Sequence, residues 1–167
     1  MANTSSRSRA QAAEARSIAT AAEAARSAHH RGGITESMED YLECIAEVIA
    51  AQGFVRVTDV AERLGLRRAS VSLMVKRLAE MGHLNHIPYR GFTLTEGGRE
   101  IAARIKERHE TLTEFFHLLG LPPAALARDV EGIEHHVSGD TLRGLRRFIA
   151  FWRARPALGD DYAAFTS

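Results

Sequence analysis

The segment Arg56–Gly98, "RVTDVAERLGLRRASVSLMVKRLAEMGHLNHIPYRGFTLTEGG", permits few folds. Val60, Ala61 and Leu64 form a short apolar stripe at helical spacing, with Thr58 placed to cap its start. Gly65 then allows a sharp turn. Val71, Val75 (or Met74), Leu78 and Met81 resume a helical stripe, and Gly82 suits a helix C-cap. Leu84–Ile87 is short and alternating, Pro88 to Gly91 is a turn signal, and Phe92–Leu94 returns with strand-like alternation. Helix, tight turn, helix and two-stranded hairpin together form the winged helix-turn-helix arrangement.

In that arrangement the start of the second helix points into a major groove. Arg67 and Arg68 can reach guanine edges or phosphates there. Ser70 and Ser72 are short enough to permit close approach, and Lys76 lies further along the same helix. Tyr89 and Arg90 fall at the hairpin tip, where a wing would grip the DNA backbone. The net charge of +1 conceals this local patch. Between Glu62 and Arg90 there are six Lys or Arg residues and two acids. The competing explanations are a solvated basic helix face of Arg67, Arg68, Lys76 and Arg77, and a winged helix that serves as a protein-interaction module.

Around this core the chain reads as mostly α. Residues 1–33 are rich in Ala, Ser and Arg and have almost no large apolar side chains, so a mobile tail is expected. Met38, Leu42, Ile45 and Ile49 then mark a first helix that Gly53 ends. Thr95 can cap a long helix from Glu96 to Leu119, with Ile101, Ile105, Leu112, Phe115 and Leu119 as its buried stripe. Such a helix spans about 36 Å. Pro123 to Val137 is a further helical stretch, as one helix or two short ones. Ser138 caps a last amphipathic helix with Leu142, Leu145, Phe148, Ile149 and Trp152, which Pro156 ends. The expected division is tail 1–33, winged helix-turn-helix domain 34–95, helical domain 96–156 and C-terminal tail 157–167. Cys44 is the sole cysteine, and no apolar run approaches a membrane span or a secretory signal. A cytoplasmic protein with no membrane partner is expected.

The stretch "VEGIEHHVS" places two carboxylates and two imidazoles within residues 131–136. On a helix Glu131, Glu134 and His135 share one face, and His136 points about 100° away from His135. Asp40 and Glu43 share a face of the first helix, and "RHE" supplies His109. Three segments thus offer oxygen or nitrogen donors that could converge on a divalent cation. Four carboxylates and two imidazoles without a thiolate suit Mn²⁺ or Fe²⁺. Asp40 and Glu43 near a helix start could equally be dipole partners. A lone His109 is more often an ordinary surface or core histidine. His117 and His136 are assigned to solvent or an outer shell, and Cys44 to a small buried apolar role.

The run "SMEDYLECI…RVTDVAERLGLRRASVSLMVKRLAEMGHL…YRGFTLTEGG…RHE…DVEGIEHHVS" resembles the manganese transport regulator branch of the diphtheria toxin repressor family. The likeness covers about residues 34–155. It implies a homodimer with two winged-helix heads and a helical dimerisation and metal-binding domain, bound to double-stranded operator DNA. It also implies metal ligands at Asp40, Glu43, His109, Glu131, Glu134 and His135, with Glu131 and Glu134 bridging. Two Mn²⁺ per subunit are expected, with Fe²⁺ as the alternative. The implied function is repression of manganese uptake genes when Mn²⁺ is bound, and no enzymatic activity. A di-metal hydrolase or oxidase fits less well, because "EGIEHH" matches neither H-E-x-x-H nor the Glu-x-x-His pairs of di-iron bundles. A metal-independent winged-helix regulator is the third alternative.

Overall fold

The computed structural model describes residues 33–166, so the expected tail falls outside it but for Gly33. Helix α1, Glu36–Gln52, carries Glu36 and Glu39 in its first turn, where acids favour the helix dipole. Its inner side buries Met38, Tyr41, Leu42, Cys44, Ile45 and Val48 at helical spacing. Gly53 closes it in the left-handed region, at φ 83°, with its N–H donating to the Ile49 carbonyl at 2.7 Å.

Helix α2, Val57–Leu64, begins earlier than the Thr58 cap read from the sequence. Arg56 is the N-cap, and its backbone N–H donates to the Asp59 carboxylate at 2.9 Å. Asp59 thereby satisfies a donor left free by the helix start, which leaves Thr58 inside the first turn. Gly65 (φ 65°) makes the tight turn into α3, Arg68–Glu80, which buries Val71 and Leu78. Strands β1, Leu84–Ile87, and β2, Gly91–Leu94, pair antiparallel with Leu84 opposite Leu94 and Ile87 opposite Gly91. A bridge from Val55 to Phe92 ties this hairpin to the segment leading into α2. Gly91 is obligatory there, because a Cβ would lie 2.2 Å from the Val55 carbonyl oxygen.

Helix α4 runs Glu96–Leu118, with the Thr95 hydroxyl accepting from the Gly98 N–H at 3.0 Å. Its buried stripe is Ala102, Ile105, Arg108, Thr111 and Leu112, whereas Leu119 is exposed and Ile101 and Phe115 are half-buried. The buried face is therefore rotated toward smaller and polar residues, because α4 packs on α1 along one side and on later helices along the other. Helix α5, Pro123–Ile133, is followed by a 3₁₀ turn, Glu134–His136. Helix α6 spans Gly139–Arg153, capped by the Ser138 hydroxyl. Of its expected stripe only Ile149 is buried.

The expected C-terminal tail 157–167 is instead mostly helical. Helix α7 covers Pro156–Thr166. Pro156 opens it at a first-turn position, where a missing N–H costs nothing. The Trp152 and Tyr162 rings meet edge-on at 5.6 Å, ending a run of aromatic contacts through Phe116, Phe115 and Phe148.

Adjacent glycines at the start of α4 allow a clean test of packing. A Cβ on Gly98 would lie 2.2 Å from the His83 carbonyl oxygen, whereas Gly97 has nothing closer than 4.0 Å. Gly98→Ala is expected to destabilise by about 1–3 kcal/mol and Gly97→Ala to stabilise by about 0.5 kcal/mol, measured by urea unfolding.

Candidate metal centre and nucleic-acid interface

Ile133 ends α5, and the 3₁₀ turn that follows winds tighter than an α-helix. Glu134 and His135 are consequently both buried, at 1% and 8% exposure, while Glu131 and His136 stay exposed. The three expected donors of "VEGIEHH" therefore do not lie on one continuous α-helical face. They converge through the change of helix type. His109, halfway along α4, brings Nδ1 to 2.9 Å from Glu134 Oε2. His109, Glu131 and Glu134 each offer a donor atom, all within 4.8 Å of one another.

Helix α1 supplies the opposite side. His135 Nε2 lies 3.3 Å from Asp40 Oδ1 and 3.7 Å from Glu134 Oε1. Glu43 lines a cleft of about 900 Å³ between α1 and α4, together with His109 and Glu131. All six donors singled out in the sequence thus belong to one neighbourhood. The tight group is His109, Glu131 and Glu134; Asp40 joins through His135, and Glu43 borders the cleft.

The charges of this neighbourhood are poorly balanced. Burial pushes the Glu43 carboxyl above its ordinary value, and nearby Glu134 pushes the same way against His109. Burial also raises Asp40, with Glu36 and Glu131 adding to it and His135 opposing. Both shifts raise the cost of a charge held beside other carboxylates. A divalent cation removes that penalty, and the all-oxygen and nitrogen donor set fits a hard or borderline ion. Cys44 is buried on the core side of α1 and takes no part.

Glu39 and Arg108 were missed in the sequence. Glu39 Oε2 accepts from Arg108 at 2.5 Å and from His135 Nδ1 at 2.8 Å. Burial alone would raise Glu39, yet the hydrogen bonds from Arg108 and His135 outweigh it and hold the carboxyl below its ordinary value. A signal was available. Arg108 stands three residues after Ile105 and four before Leu112, on the face the helix buries, and a buried cation needs an anion.

On the head, Arg67 caps α3 and Arg68 opens it; both are exposed, as are Ser70, Ser72 and Lys76. Lys76 also pairs with Glu80 at 3.8 Å along the helix. Leu73 projects from the same face at 71% exposure, which apolar periodicity does not reveal. Tyr89 is fully exposed at the hairpin tip in the left-handed region, at φ 64°. Beside it the Arg90 carbonyl accepts from Arg56 Nε at 3.2 Å.

Residues 33–92 match the iron dependent repressor N-terminal DNA binding domain, and residues 95–161 match the iron dependent repressor metal binding and dimerisation domain. The chain belongs to the iron-dependent repressor family, that of the diphtheria toxin repressor. Within this family it is 43% identical to the transcriptional regulator MntR of Escherichia coli over 123 residues, 74% of this chain and 77% of the relative. It is similar to the solved metal-dependent transcriptional regulator MtsR, with a TM-score of 0.65 and 27% identity over 71% of this chain and 55% of that one. It is also similar to a manganese-dependent transcriptional repressor in complex with manganese, with a TM-score of 0.57 and 28% identity over 68% and 53% of the two chains. The chain spans about half the length of these two solved structures. The family and its relatives are transcriptional regulators, and the mostly helical fold with a two-stranded wing is theirs. No described helix is long and apolar enough to cross a membrane.

The raised carboxyls of this family member set the sign of a pH effect. A carboxyl whose folded pKa lies above its unfolded one binds more protons when folded. Its favourable contribution is present below the ordinary carboxylate range and is lost as pH rises through the raised value. Glu43→Gln is therefore expected to raise the melting temperature of the metal-free protein at pH 7, by up to about 2 °C after solvent screening. The gain should shrink as pH falls through the raised value, as followed by scanning calorimetry.

Proposed function

We propose that this protein is a manganese-responsive transcriptional regulator, which represses manganese uptake genes from the cytoplasm when Mn²⁺ is bound. One observation carries the reading. His109, Glu131 and Glu134 offer donor atoms within 4.8 Å of one another, and Asp40, Glu43 and His135 lie beside them with an excess of carboxylates. Asp40, Glu43, His109, Glu131, Glu134 and His135 are the residues that would hold the metal, a donor set large enough for two ions per subunit. The bound cation supplies the positive charge that makes the approach of these carboxylates favourable. The names of the MntR and manganese-bound relatives support Mn²⁺ over Fe²⁺ as the physiological ion.

The chain's own residues convert that charge balance into DNA binding. Residues 34–95 act as the head and residues 96–156 as the metal-binding and dimerisation part. Asp40 and Glu43 belong to α1, which packs against α2, α3 and β2 as well as α4. Holding them against His109, Glu134 and His135 fixes the head relative to α4. In a homodimer this sets the separation of the two α3 helices, which must match successive major grooves about 34 Å apart. Restricting the heads beforehand lowers the ordering cost of binding. Arg67 and Arg68 would then read guanine edges or phosphates, with Ser70 and Ser72 allowing close approach. Leu73 offers an apolar contact to thymine methyls, while Lys76, Tyr89 and Arg90 hold the backbone. Exposed Ile133, Phe148, Phe151 and Phe165 supply apolar surface for the second subunit.

Gel-shift measurement on the gene's own upstream DNA tests the proposal. Binding is expected with Mn²⁺ and should fall at least tenfold in excess chelator; equal affinity in both would contradict it. Parallel titration with Fe²⁺ decides between the ions. Glu131→Ala with Glu134→Ala should abolish the metal response but not dimerisation. Arg67→Ala should bind Mn²⁺ normally and weaken DNA binding by about 1–3 kcal/mol.

A further inference from the structure

We infer that Glu39, held in place by Arg108, is a positioning residue that fixes the ring orientation and tautomer of His135 before any cation arrives. The inference rests on the metal-responsive reading above and assigns roles to two residues outside the proposed ligand set. A single oxygen of Glu39 accepts two bonds, from Arg108 at 2.5 Å and from His135 Nδ1 at 2.8 Å. A nitrogen that faces an ionised acceptor at that distance carries a proton. Where the ring is neutral, that proton leaves the lone pair on the other nitrogen, Nε2. It is this nitrogen that lies 3.3 Å from Asp40 and 3.7 Å from Glu134, inside the donor cluster. One side of the imidazole is thus anchored and the other is presented for ligation, as an outer carboxylate does for metal-binding histidines generally.

Burial gives the arrangement its force. The side chains of Arg108 and His135 are each 9% exposed and that of Glu39 is 16% exposed. Stability is a weak reason for such a pair, because burying two charges costs about as much as their attraction returns. The Arg108 Nε atom even lacks a hydrogen-bond partner among the described residues. What the pair supplies is orientation. Glu39 comes from α1, Arg108 from α4 and His135 from the 3₁₀ turn, so one carboxylate joins three of the four segments that carry the proposed ligands. Asp40 follows Glu39 directly on α1, which couples the placement of ligand and orienting group. The cluster therefore meets its cation with His135 already set.

The test uses the full-length protein. Long-range ¹H–¹⁵N correlation of the metal-free wild type at pH 8 should show the His135 proton on Nδ1 and a free lone pair on Nε2. Glu39→Met combined with Arg108→Met removes both charges together, leaves neither buried unpaired, and should preserve the fold. This double variant is expected to lose the fixed tautomer and to bind Mn²⁺ about 10–100-fold more weakly by isothermal calorimetry. Mn²⁺ affinity within twofold of a wild type that itself binds would overturn the inference and leave the metal reading intact. A wild-type His135 proton found on Nε2 would overturn it without any variant. Absence of Mn²⁺ binding by the wild type would overturn both.

Discussion

Everything in this structure turns on a surplus of negative charge held in one confined place. Glu134 is buried almost completely, with one imidazole as its close partner and further carboxylates nearby. Glu43 acts on it from another helix and Asp40 lies beside its neighbour His135, and burial raises both carboxyls above their ordinary values. Such a cluster is costly for the polypeptide alone, and in the proposed reading a cation completes the junction between α1 and α4. That need links ion binding to the geometry of the DNA-reading head, because α1 contributes to both.

The two halves of the charge cluster differ in kind. Around Glu39 the polypeptide supplies its own cation, Arg108, and the charges are matched. Around Glu43 the neighbours that act on its charge are the His109 imidazole and the acids Glu134, Glu47 and Glu131. The matched half holds α1, α4 and the 3₁₀ turn in register. The unmatched half awaits a ligand. A regulator needs both properties: a site rigid enough to select an ion and a charge imbalance large enough for that ion to shift a population.

Much of this was legible in the sequence. The Gly65 turn between two short apolar stripes and the Pro88–Gly91 break in the hairpin fixed the head, since local spacing and turn chemistry decide such elements. The six proposed donors could be picked out because carboxylates and imidazoles at helical spacing are conspicuous. Other features depend on tertiary packing. The buried side of α4 is rotated because two sets of helices compete for its faces, so Arg108 and Thr111 are buried and Leu119 is not. The helical stretch 123–137 divides into α5 and the 3₁₀ turn that carries Glu134 and His135, and nothing local in "GIEHH" marks the point of tightening. α6 does end just before Pro156, but the same proline also begins α7, which a stop signal alone does not reveal. Glu39 was overlooked beside Asp40 because its partners lie 69 and 96 residues away.

The central claim is that the cluster is incomplete without a cation, and calorimetry addresses it directly. Scanning calorimetry of the metal-free protein with increasing Mn²⁺ should show a melting temperature that climbs with ion concentration, as mass action requires for a ligand of the native state. Glu134→Gln should largely remove that climb. A melting temperature that stays constant through millimolar Mn²⁺ would contradict the account.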